Sequence, residues 1–182
     1  MYEGFPQPGN RITVVGNCGS GKTTLARAIA QRRGVPYLSV DEALWKPGWV
    51  MRDDDEVQRR LTEAMAADAW VSDGNLGSRS HYVLPLLDTV IWLDLPKHLV
   101  MRRLLARTVR RAWTKEELFS GNREGWRHSF ASKESILPYA WNAHAMYRRR
   151  YEALFADPDY AHLKRIRLTT PRQVEQFMRD LA

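Results

Sequence analysis

The stretch Gly16-Asn17-Cys18-Gly19-Ser20-Gly21-Lys22-Thr23-Thr24 gathers three glycines, one lysine and three hydroxyl side chains into nine residues. Glycine at such spacing lets a loop curl until successive backbone N–H groups point inward and form a concave anion site. The pattern G-x-x-x-x-G-K-[ST] is short, so its setting decides what it means. Here an apolar, strand-like run, Ile12-Thr13-Val14-Val15, precedes it, and a helical pattern, Leu25-Ala26-Arg27-Ala28-Ile29-Ala30, follows. A helix starting near Lys22 would add the positive end of its dipole. In that setting Lys22 would bridge the β- and γ-phosphates of a nucleoside triphosphate, and Thr23 would offer its hydroxyl to Mg²⁺. An ordinary glycine-rich turn is the alternative, and the flanking strand and helix weigh against it.

Those residues need a scaffold, and the rest of the chain supplies one by alternation. Arg11–Val15 reads as a first strand and Lys22–Arg33 as a first helix closed by Gly34. A second strand is expected over Val35–Val40 and an amphipathic helix over Asp53–Ala67, with Val57, Leu61, Ala64 and Met65 on one side. Trp70–Ser72 is a short third strand, and Thr89-Val90-Ile91-Trp92-Leu93 is an apolar run of the kind buried in parallel sheets. Leu99–Arg111 continues as a basic helix. Residues 113–132 read as an irregular, lid-like insertion, and a stripe through Ile136, Ala140, Ala143, Tyr147, Tyr151 and Leu154 marks a further helix. A last strand, Leu163–Leu168, and a helix from Pro171 close the pattern. Such alternation implies an α/β fold, a parallel sheet with helices on both faces. The whole chain, 1–182, is expected to be one domain, with 11–112 and 133–182 as its core.

In parallel sheets ligands sit beyond the carboxyl ends of the strands. Asp41 follows the second strand and Asp73 ends the third, so both would face the phosphate loop. Two carboxylates there can hold Mg²⁺ or take a proton from an attacking hydroxyl. The preferred division gives Asp41 the acceptor-side, base role and Asp73, with Thr23, the metal. Either could instead cap a helix. Asp94 reads better as a turn or N-cap carboxylate. Arg103 and Arg107 lie four residues apart, hence on one helical face, and Arg123 and Arg127 repeat that spacing inside the insertion. Arg148, Arg149 and Arg150 read mainly as a solvated face. Trp45 and Trp49 could form a stacking wall for a flat ligand or could cover the sheet edge. Trp126, Trp141 and His144 are expected to pack the insertion and the long helix. The five histidines and Cys18 show no zinc-ligand spacing.

Composition is that of a globular protein of 182 residues, 44% apolar, with no run of about 18 apolar residues to span a membrane. The residues Met1 to Pro6 have neither the basic nor the apolar region of a secretory signal, and a single cysteine fits a reducing compartment; a cytoplasmic location is expected. The net charge of +7 is uneven: residues 97–150 hold 13 basic and 4 acidic side chains. Such a block could track a nucleic-acid backbone or line a lid that neutralises a triphosphate.

The later motifs carry a family likeness. Asp73-Gly74 and Val90-Ile91-Trp92-Leu93-Asp94-Leu95-Pro96, followed by Arg103-Leu104-Leu105-Ala106-Arg107, resemble the corresponding segments of adenylate kinases and other nucleoside monophosphate kinases. The combination of Asp41, Trp45-Lys46-Pro47-Gly48-Trp49 and Asp73-Gly74-Asn75 is more closely similar to the small adenylate-kinase-like proteins labelled DNA topology modulation proteins. The likeness covers about residues 11–181. It implies a P-loop three-layer sandwich with a five-stranded parallel sheet of order 2-3-1-4-5 and a basic lid. It also implies ATP and Mg²⁺ as cofactors, and transfer of the γ-phosphate to a small acceptor. By the same likeness Arg103 and Arg107 reach the ATP phosphates or stack near adenine, and Leu168-Thr169-Thr170-Pro171 looks like the adenine-side loop. One departure is marked: the Phe-Pro-Arg that follows Asp-Gly in adenylate kinases is Asn75-Leu76-Gly77 here. The nearest downstream arginine is Arg79, so the acceptor-binding set becomes Asp41, Trp45, Trp49 and Arg79. Two readings follow, a monomeric ATP-dependent kinase and an ATP-binding protein whose basic block grips DNA or RNA. The first uses both strand-end carboxylates; the second leaves Asp41 idle.

Overall fold

The computed structural model describes residues 4–114, 117, 119–122 and 136–181. Its five strands are β1 (Arg11–Gly16), β2 (Tyr37–Ser39), β3 (Trp70–Asp73), β4 (Thr89–Leu93) and β5 (Lys164–Leu168). All pair in parallel, in the order β2-β3-β1-β4-β5. The helices of four residues or more are α1 (Lys22–Arg33), α2 (Val40–Leu44), α3 (Asp54–Ala64), α4 (Ser80–Val83), α5 (Lys97–Thr114), α6 (Ile136–Ala156) and α7 (Pro171–Asp180).

The sheet separates two cores. Ile12 and Val14 point to one face, with Leu25 and Ile29 of α1, Val71, Ile91, Ile166 and Phe177 of α7. Val15 belongs to the other, with Val57 and Leu61 of α3, Trp70, Val90, Trp92 and Tyr147 and Tyr151 of α6. Strands buried on both faces need apolar side chains at nearly every position, which explains the unbroken Val-Ile-Trp-Leu run of β4. Two of the buried polar exceptions satisfy one another: Ser72 Oγ donates to Thr13 Oγ1 across β3 and β1 at 3.0 Å.

Register aligns the chemistry. Asp73 stands opposite Val14 of β1 on one side and Ser39 of β2 on the other, while Gly16 stands opposite Leu93 of β4. The ends of the inner strands therefore open onto one rim, and the phosphate loop leaves from its middle. Strand β2 is shorter than the sequence suggests. Ser39 ends it by accepting a hydrogen bond from Glu42 N at 3.3 Å, so Val40 and Asp41 open α2 instead of extending the strand. Helix α5 runs on to Thr114, so the first residues of the expected insertion are helical. Of the remainder, Arg123, Trp126 and Arg127 lie outside the described residues.

Gly74 fixes how closely the rim can close. Its φ is +137°, and a Cβ there would stand 2.6 Å from Val40 Cβ. The turn after β3 thus presses directly on the first residue of α2, one position before Asp41. Replacing Gly74 with Ala combines strained backbone with overpacking, and we expect a loss of about 1–3 kcal/mol. Urea unfolding at unchanged m-value checks this.

Candidate active site

Gly21 adopts φ 99° and leaves the start of α1 without a side-chain cap. The first N–H groups of that helix are therefore available to an anion at the loop. Inside the loop, Asn17 O accepts from Ser20 N at 3.1 Å and from Lys22 Nζ at 3.1 Å. Asn17's own side chain acts as a girder: Oδ1 accepts from Cys18 N at 2.9 Å, and Nδ2 donates to Ala140 O of α6 at 2.8 Å. Cys18 keeps a half-buried thiol. Ser20 Oγ is buried and has no hydrogen-bond partner among the described residues. Gly19 sets the loop against α5, since a Cβ there would meet Val100 O at 2.7 Å and Leu104 Cβ at 2.9 Å. That contact delivers Arg103 to the loop, where Nη1 reaches Ser20 O at 3.4 Å.

Asp73 lies beneath the loop and is only 4% exposed. Thr23 Oγ1 donates to its Oδ2, and Tyr37 OH donates to its Oδ1 at 2.7 Å. Burial, reinforced by Asp73, pushes the Tyr37 phenol far above its usual range, so Tyr37 stays a neutral donor. Among the described residues the carboxylate has hydroxyl partners and no ion pair. A hydroxyl and a carboxylate in contact beside a phosphate loop are the oxygen donors that a hard divalent cation takes, so the residues fit Mg²⁺. Clusters of three His, Cys, Asp or Glu side chains are absent among the described residues.

Asp41 forms the opposite wall. Burial raises its proton affinity, the positive charges of Lys22 and Arg107 lower it, and the nearby Asp73 raises it; the net direction is up. Lys22, Thr23, Asp41, Asp73, Arg103 and Arg107 thus come together at the phosphate loop.

Other expected residues take different places. Trp45 and Trp49 form an edge-to-face pair, 5.6 Å apart and 79° inclined, at the neck of a tight loop closed by Lys46 N to Val50 O at 2.8 Å. Asn122 straddles that loop, accepting from Trp49 N at 2.8 Å and donating to Lys46 O at 2.9 Å. Ser120 Oγ donates to Trp45 O at 2.7 Å. Arg79 is engaged with Asp54 at 2.9 Å. Thr170 caps α7 in a reciprocal box with Gln173. Asp94 is structural, with Arg167 and Arg148 as ion partners. Trp141, expected to pack inward, is 55% exposed and carries Lys97 Nζ over its ring at 3.6 Å. His144 Nε2 lies 3.2 Å from Leu95 O.

Asn75 is a functional link that no local sequence pattern marks. Its Oδ1 accepts from Gly16 N at 3.2 Å and from Tyr151 OH at 2.7 Å, joining loop, β3 turn and α6. In sequence Tyr37 and Tyr151 are strand and stripe residues, and nothing local marks a phenol that bonds across 36 or 76 positions.

Two stability effects follow. A carboxyl whose folded proton affinity is raised costs stability as pH rises above its ordinary value near 4, until the raised folded value is passed. Asp41→Asn removes that loss, so we expect a higher Tm than wild type at pH 7 and a difference that shrinks toward pH 4; no pH-dependent difference would contradict the raised proton affinity. Asn75→Ala leaves Gly16 N–H and the Tyr151 hydroxyl without their acceptor and should cost about 1–3 kcal/mol in urea unfolding.

Comparisons with known proteins bear on family and fold. The family model described as an AAA domain matches residues 12–124. The "Putative adenylate kinase" of Thermococcus onnurineus (strain NA1) is 36% identical over 103 residues, 53% of this chain and 54% of that protein. The chain thus matches about half the length of that relative. Among solved structures, a gluconokinase from Sinorhizobium meliloti 1021 superposes with TM-score 0.52 at 17% identity, covering 96% of this chain and 90% of that one. A shikimate kinase from Acinetobacter baumannii in complex with shikimate gives TM-score 0.52 at 18% identity, covering 95% and 89%. At such identity the likeness is one of fold. The matched span contains the phosphate loop, both site carboxylates and the arginines of α5, and the chain belongs to the AAA domain family, in the fold of the P-loop kinases.

Proposed function

We propose that this protein is an ATP-dependent phosphotransferase that passes the γ-phosphate of ATP to a hydroxyl of a small acceptor. The observation that carries this reading is the second carboxylate. Asp41 faces Lys22, Asp73 and Arg107 across the mouth of the phosphate loop, where nucleotide binding alone would not require it. In this reading Asp41 accepts the hydroxyl proton as the acceptor oxygen bonds to the γ-phosphorus and the bond to the β–γ bridging oxygen breaks, releasing ADP. Raised proton affinity suits a group with that task. Lys22, Arg103 and Arg107 balance the charge that spreads over the transferred group. Thr23 and Asp73 would hold Mg²⁺, which supplies further charge neutralisation when bound. Arg123 and Arg127 are proposed to add to the same charge from the insertion, and Thr170 to border the adenine. The protein is proposed to act as a cytoplasmic monomer. No helix among the described residues is long and apolar enough to cross a membrane.

The basic block supports this reading over one based on nucleic acid. Arg103 turns to the loop, Arg148 engages Asp94 and Glu152, and Arg150 donates to Gly77 O. The test is ADP release with Mg²⁺ and ATP across a panel of acceptors. We expect acceptor-dependent turnover, lowered about 10²–10⁴-fold in Asp41→Asn. Slow turnover indifferent to small acceptors but raised by DNA or RNA would overturn the reading.

A further inference from the structure

Four side chains interlock beneath the phosphate loop, two from the sheet and two from α1. Tyr37 stands opposite Val71 and Ser39 opposite Asp73, so Tyr37 and Asp73 lie two register positions apart on neighbouring strands. Residues two apart on a strand share a face, which puts Tyr37 and Asp73 on the same side of the sheet. Thr23 and Arg27, four residues apart on α1, meet that pair. Thr23 Oγ1 donates to Asp73 Oδ2, and Tyr37 OH donates to Asp73 Oδ1 at 2.7 Å. Arg27 Cζ lies 5.0 Å from the centre of the Tyr37 ring. The carboxylate is thus gripped at both oxygens, and the phenol that grips it is itself covered by a guanidinium.

A hydroxyl has one proton and two lone pairs. With its proton committed to Asp73, Thr23 keeps its lone pairs for a cation, and Thr23 is exposed where Asp73 is not. That commitment lasts only while Oδ2 is the oxygen presented to Thr23. The terminal torsion of an aspartate is broad, so one bond alone does not hold the carboxylate plane. The second bond, from Tyr37 to the other oxygen, stops the rotation. A phenol does so without cancelling charge, whereas an arginine or lysine in its place would form an ion pair and weaken the negative potential that a cation needs. We propose that Tyr37 is a positioning residue for the divalent cation, its hydroxyl holding Asp73 in the orientation that leaves Thr23 and Asp73 ready to take Mg²⁺. It acts through Asp73 and not on the nucleotide. The proposal rests on the metal assignment within the phosphotransferase reading above, and adds the residue that sets its strength.

The test compares wild type, Tyr37→Phe, Asp73→Asn and the double variant, each as the full chain with ADP bound. Tyr37→Phe keeps the ring beside Arg27 and removes the hydroxyl alone. Mn²⁺ serves as the probe, its free fraction read by electron paramagnetic resonance, and ADP affinity is measured separately in EDTA by calorimetry. Partners that orient metal-binding groups govern affinity by about 10–100-fold, so Tyr37→Phe should raise the Mn²⁺ Kd by about tenfold or more while ADP affinity in EDTA stays within about twofold of wild type. In the Asp73→Asn background the same substitution should shift the Mn²⁺ Kd by less than about twofold, since the phenol then has no metal-binding carboxylate to hold. Unchanged or tighter Mn²⁺ binding in Tyr37→Phe would overturn the inference and leave the metal assignment standing. A matching loss of ADP affinity in EDTA would make the hydroxyl a support of the loop alone and overturn it equally. Wild type that holds no Mn²⁺ beside ADP would remove the assignment of Thr23 and Asp73 together with the inference.

Discussion

The carboxylate of Asp73 is the point on which the rest of the site depends. It ends the strand that pairs with both β1 and β2, and it binds one hydroxyl from each neighbouring element, Thr23 at the start of α1 and Tyr37 on β2. A buried carboxylate is tolerable only when donors surround it. Here those donors are also the parts that must not move: the helix that opens beneath the phosphates and the edge strand that leads to Asp41. Meeting the solvation needs of one charge thus fixes three elements. The cost is a second negative charge close by at Asp41, and the fields of Lys22 and Arg107 offset it.

Much of the fold was legible because parallel strands buried on both faces have little choice of side chain. The β4 run and the glycine-rich loop each point to one arrangement, and the strand order followed from the family likeness. The end of β2 was not legible. Val40 looks like a strand residue, and only the Ser39 hydroxyl bonding to Glu42 N turns the chain into a helix there. Site residues borne by local spacing, such as Arg103 and Arg107 on one face of α5, could be read directly. Asn75 could not, since its role arises where a loop, a turn and a distant helix meet. Asn122 was hidden for the same reason, and Arg79 was visible as a cation while its partner Asp54 was not.

Charge supplies a second organising theme. The net value of +7 is uneven, with 13 basic and 4 acidic residues over 97–150. Part of that charge is consumed within the chain, where the basic residues of α6 contact Asp94, Glu152 and the carbonyl of Gly77.

The two asparagine links between the phosphate loop and α6 have a mechanical meaning. Asn17 is joined to Ala140 and, through Asn75, Gly16 is joined to Tyr151, so the loop is fastened to a helix more than a hundred positions later in the chain. A displacement of α6 along its axis would tug two adjacent backbone units of the loop at once. The nucleotide pocket therefore inherits the stiffness of the longest helix, and much of the entropy of shaping the loop is spent when the chain folds, before any nucleotide arrives.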